Sequence, residues 1–92
     1  MSDTAQRHLK IVNEKGLHAR ASAKLVEVVE GFDATAEVSR DGMSASGDSI
    51  MGLLMLAASK GTTIEVQTSG PDAEALAQAV EALVADRFGE EM

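Results

Sequence analysis

Hydrophobic residues in this chain switch repeatedly between a period of two and a period near 3.6, with no long run of either. That alternation restricts the fold to short strands and helices packed as layers. Gln6–Asn13 alternates, with Leu9 and Ile11 on one face and His8, Lys10 and Val12 on the other, the pattern of a half-buried strand. Asn13-Glu14-Lys15-Gly16 interrupts it. From His18 onward, Ser22, Leu25, Val26 and Val29 recur at helical spacing, and Gly31 closes that helix. Ala34, Ala36 and Val38 then alternate with Thr35, Glu37 and Ser39 as a second strand. Asp41-Gly42 suits a type I′ turn, so Met43–Ser46 is expected to return as its hairpin partner. Ser49 is placed to cap a short helix over Ile50–Ser59, ended by Lys60-Gly61, and Thr62–Thr68 alternates again. Gly70-Pro71 introduces a last helix with Pro71 in its first turn. Its apolar face is Ala73, Leu76, Ala77, Val80, Leu83 and Val84, with Gly89 as the stop.

The order β-α-β-β-α-β-α predicts an α+β fold: a two-layer open-faced sandwich, its four-stranded antiparallel sheet covered on one face by three helices. A chain of 92 residues fits one domain over 1–92, with a core over about 6–88. The absence of cysteine excludes disulfides and thiolate chemistry, and two histidines are too few for a histidine zinc cage. A net charge of −7 and only Phe32 and Phe88 as aromatics argue against nucleic-acid binding. The charge is uneven, however. Residues 1–24 carry Arg7, Lys10, Lys15, Arg20 and Lys24 against Asp3 and Glu14, so an anion would be handled there. The opening Met-Ser-Asp-Thr-Ala-Gln is not a signal peptide, and no apolar run approaches the roughly 18 residues of a membrane span. A cytoplasmic protein without membrane insertion is expected.

Within that basic segment, His18 follows a glycine-containing connection and starts a helix. A helix N-terminus offers unpaired N–H groups and a positive dipole end. With Ala19 and Arg20 supplying backbone donors, and the Arg20 guanidinium a bidentate one, an imidazole there can attack phosphorus and keep the phosphoryl group stabilised. For an isolated His-x-Arg the plainer account is a helix start with a solvated arginine. His8, on the open side of the first strand, is expected to be exposed and without a catalytic part. The acidic residues of the last helix, among them Asp72, Glu74, Glu81 and Asp86, are read as a solvated face.

Gly16-Leu17-His18-Ala19-Arg20-Ala21-Ser22-Ala23-Lys24-Leu25-Val26 closely resembles the active-site segment of the HPr family, the histidine-containing phosphocarriers of the bacterial phosphotransferase system. Asp48-Ser49-Ile50-Met51-Gly52-Leu53-Leu54 resembles that family's regulatory serine segment and lies at its spacing from the histidine. Ala58-Ser59-Lys60-Gly61 fits the same template, and the likeness runs from about Leu9 to Leu83. The resemblance implies that His18 accepts a phosphoryl group on Nδ1 from phosphorylated enzyme I, which draws it from phosphoenolpyruvate. The group then passes to an enzyme IIA domain, in sugar uptake or in nitrogen-linked regulation. It implies a carrier that is a substrate of its partners rather than an enzyme, monomeric, with no bound cofactor or metal.

The resemblance also makes Ser49 a regulatory phosphosite for HPr kinase/phosphorylase, although Asp48 departs from the basic or neutral residue usual there. Ala21 stands where the family most often has proline. Alanine favours the helix but leaves the turn less rigid. Ile50–Ala58 carries no charge. Leu53, Leu56 and Ala57 share one face and are expected in the core, while Ile50, Met51 and Leu54 point elsewhere, at the family's docking patch. The alternative is an acyl carrier protein with phosphopantetheine on Ser49, suggested by Asp48-Ser49-Ile50. An inert interaction module on the same fold is a third reading. The period-two segments and the uncharged helix after Ser49 argue against the acyl carrier.

Overall fold

The computed structural model describes residues 3–91. In chain order its elements are β1 (Thr4–Lys10), α1 (Ala19–Glu30), β2 (Thr35–Arg40), β3 (Met43–Ser46), α2 (Ile50–Met55), β4 (Thr63–Ser69) and α3 (Ala73–Ala85), then a 3₁₀ turn over Arg87–Gly89. The strands form one antiparallel sheet in the order β1-β4-β2-β3. The α+β, open-faced arrangement read from the sequence is the observed one.

Alternation sorts the two faces of the sheet. Leu9 lies opposite Ile64 and Val38 opposite Val66, and all four are buried under the helices. Gln6, His8, Glu37 and Gln67 on the other face are exposed. The helices supply the rest of the core: Ala21, Leu25 and Val29 from α1, Leu53 from α2, and Leu76, Val80 and Val84 from α3. Asp41 and Gly42 both have positive φ, 51° and 81°, as a type I′ turn requires.

Several boundaries differ from the sequence reading. β1 begins two residues earlier and leaves the ladder after Lys10, although the Ile11 amide still donates to Thr62 O at 2.8 Å. α2 stops at Met55 rather than Ser59. Ala57 turns left-handed at φ 51° and is exposed, so its expected place in the core is wrong, whereas Leu53 and Leu56 are buried there as expected. The end of α2 is fixed from outside, because the Arg40 guanidinium takes the Leu56 carbonyl at 3.0 Å. Pro71 lies before the last helix, whose N-cap residue is Asp72. The acidic face of α3 is partly committed: Arg7 pairs with Glu74 at 2.5 Å and Glu81 at 3.3 Å, and Asp72 accepts the Asp33 amide at 2.8 Å.

Candidate functional site around His18

The chain approaches α1 through a loop that only glycine permits. Gly16 has φ +66°, and a Cβ there would lie 2.5 Å from the Ala58 carbonyl oxygen. The Leu17 amide donates to that same oxygen at 2.8 Å, and the Leu17 side chain is buried. The loop is thereby pinned against the segment that follows α2, and His18 emerges beside it. His18 is the N-cap of α1, in extended conformation, where serine, threonine or aspartate more often stands. Its Nδ1 accepts the Arg20 backbone N–H at 3.3 Å, so this ring nitrogen faces the open first turn of the helix.

The other ring nitrogen, Nε2, is in short contact with Oε2 of Glu90. The second oxygen of Glu90 accepts Asn13 Nδ2 at 2.9 Å, and Asn13 also donates to Gly16 O at 2.8 Å. Asn13 is fully buried, and its Oδ1 has no hydrogen-bond partner. The Asn13 hydrogen bond is the main reason that the Glu90 carboxyl sits below its ordinary pKa. The His18 hydrogen bond and the charges of His18 and Lys15 push the same way, against partial burial. Glu90 is therefore a carboxylate at neutral pH.

A cleft of about 400 Å³ opens over this cluster, lined by Glu14, Lys15, His18, Ala19, Arg20, Glu90 and Glu91. Ala19 and Arg20 are exposed in it, and the His18 side chain is 27% exposed, so an incoming group can reach the ring. Lys24, one of the basic residues of the 1–24 segment, does not line the cleft. Its ammonium donates to the Phe88 carbonyl at 2.6 Å. Ala21 is fully buried and α1 runs through it unbroken.

Ser49 caps α2, its Oγ accepting the Gly52 amide at 3.0 Å, while Asp48 is engaged by the Ser46 hydroxyl at 2.5 Å. The apolar surface of α2 comprises Ile50, 39% exposed, and Met51, 70% exposed, with Leu54 half-buried; Met55, 69% exposed, extends it. Met55 was missed because a wholly apolar helix gives no period from which to rank its faces. Glu90 and Asn13 were missed because nothing local links residues this far apart in sequence. His8 lies on the open face of the sheet, against Glu65 at 2.8 Å and apart from His18. Among the described residues there is no histidine, cysteine or carboxylate group able to hold a metal, and no helix long and apolar enough to cross a membrane.

Residues 5–86 match the family model described as the PTS HPr component phosphorylation site. The chain belongs to the HPr family. It is 47% identical over 85 residues to the phosphocarrier protein HPr of Cupriavidus necator, covering 92% of this chain and 96% of that one. It is 40% identical over 89 residues to the phosphocarrier protein NPr of Escherichia coli K12, covering 96% and 99%. The crystal structure of HPr-C-His from Thermoanaerobacter tengcongensis superposes with a TM-score of 0.91 at 32% identity, over 96% of this chain and 99% of that one. HPr membership carries a phosphocarrier role in the phosphotransferase system. The acyl-carrier alternative has no support, since a helical bundle has no place for the four-stranded sheet.

Proposed function

We propose that this HPr-family chain relays phosphoryl groups on His18, taking them from phosphorylated enzyme I and delivering them to an enzyme IIA domain in the cytoplasm. The observation that carries this reading is the placement of His18 Nδ1 at the open N-terminus of α1, beside the Arg20 amide. A neutral imidazole is a competent nucleophile near pH 7, and its N–P bond stays labile enough to be attacked again. Phosphoryl transfer needs chiefly positioning and charge stabilisation. The first-turn N–H groups of Ala19 and Arg20 and the exposed Arg20 guanidinium supply both. The purified chain, incubated with enzyme I and phosphoenolpyruvate, is expected to gain one acid-labile phosphoryl group by intact mass.

Partner docking falls to Ile50, Met51, Leu54 and the adjoining Met55. Met51→Glu is expected to weaken enzyme I binding by more than about 1.4 kcal/mol, tenfold in affinity, with an unchanged thermal melt. Titration calorimetry reads the first effect; unaltered affinity would move docking elsewhere.

Ser49 serves as the regulatory phosphosite, the target of an HPr kinase/phosphorylase. A phosphate adds about −1.5 to −2 charges beside this patch. Ser49→Asp is expected to slow His18 phosphorylation at low ionic strength and to recover as salt screens the repulsion. Fold stability should change by no more than about 1 kcal/mol, because a helix N-terminus tolerates negative charge. Equal rates at low salt would leave Ser49 as a helix cap only.

A further inference from the structure

We propose that Glu90 is a positioning residue for phosphoryl acceptance by His18, an inference that rests on the carrier reading above. Two independent features of the chain's end point to it. The first is the hydrogen-bonded series from Asn13 through Glu90 to His18 Nε2, anchored on a buried amide whose two N–H bonds go to Glu90 and to Gly16 O. The second is the turn that delivers Glu90. Arg87, Phe88 and Gly89 have φ of 57°, 55° and 78°, a left-handed run that side-chain-bearing residues avoid. Such strain persists only where the surroundings over-determine it. Here Phe88 is fully buried, its carbonyl takes the Lys24 ammonium, and the Gly89 and Glu90 amides donate back to Asp86 O and Arg87 O at 3.0 Å each. The turn is held so that the next residue folds back over the ring.

The chemistry follows from what a carboxylate can do. Glu90 can only accept, so the proton it shares with His18 resides on Nε2. The lone pair is then left on Nδ1, the nitrogen that faces the first turn of α1. As that lone pair forms the new N–P bond, the bond from phosphorus to the donor breaks and its electron pair stays with the donor. The ring now bears phosphorus on Nδ1 and hydrogen on Nε2 and is a cation, and Glu90 provides its counter-charge. Delivery to the next protein reverses each change. The arrangement resembles the carboxylate that fixes a histidine tautomer in nucleophilic catalysis.

Glu90→Gln tests this while preserving size. The glutamine has one acceptor oxygen for the two donors Asn13 and His18, and an NH₂ turned toward Nε2 draws the ring proton to Nδ1. With ¹⁵N-labelled histidine, no donor present and the ring neutral, wild-type His18 is expected as the Nε2–H form. The variant is expected to show a large Nδ1–H share. Its phosphorylation rate at saturating enzyme I should fall about tenfold, with the half-saturating concentration and the thermal melt unchanged. A variant as fast as wild type overturns the role of Glu90 alone, and so does a slower one whose tautomer is unaltered. A wild-type chain that takes up no phosphoryl group overturns the carrier reading, and this one with it.

Discussion

Leu53→Glu is expected to leave the protein unfolded at room temperature, although Met51→Glu, two residues away on the same helix, leaves it folded. Leu53 is completely buried and is the one buried residue of α2, a helix of six residues with little stability of its own. Losing the leucine removes about 1.5–3 kcal/mol of burial. Keeping an ionised carboxylate in its place costs several kcal/mol more, and protonating it instead costs about 3.7 kcal/mol at pH 7, because an ordinary glutamate titrates near about 4.3 and each unit is worth about 1.36 kcal/mol. A domain of this length holds roughly 5–14 kcal/mol in all. Circular dichroism and thermal melts check the outcome. A Leu53→Glu protein with native melting and normal partner binding would mean that the two faces of α2 are reversed.

Sequence alone carried those features whose causes are local. Alternation at Ala36 and Val38 and the Asp41-Gly42 pair place the hairpin because side-chain period and turn chemistry act within a few residues. Ser49 and His18 were legible as caps for the same reason: a cap is defined by the backbone it adjoins. The errors fall where distant groups decide. Leu56 to Ser59 continues an apolar run that reads as helix, yet Arg40 takes the Leu56 carbonyl and Leu17 takes the Ala58 carbonyl, so the chain turns at Ala57. Lys24 seemed free to join an anion site, but the returning tail claims it through Phe88. Glu90 was invisible for the same reason. Its sequence neighbours say only that the chain ends acidic, and the turn that sends it to His18 depends on where Phe88 is buried. The site was thus legible as a nucleophile at a helix start, and illegible in the groups that orient it.

The second large effect is chemical. Phosphorylation by enzyme I and phosphoenolpyruvate should fall to background in His18→Ala, because no other described side chain offers the same chemistry. There is no cysteine. His8 is spent on Glu65 across the open face of the sheet, away from the N-terminus of α1. A phosphate on Ser49 would be an ester, stable to the acid that cleaves an N–P bond, so acid lability separates the two products. Arg20→Ala should slow transfer with an unchanged melt, since Arg20 is exposed and its loss removes charge stabilisation but no core contact. The direct measurement is the acid-labile phosphate bound to His18→Ala and to His8→Ala under identical conditions. His8→Ala is expected to retain the wild-type amount and His18→Ala none. Acid-labile phosphate persisting on folded His18→Ala would contradict the assignment of His18 as the acceptor.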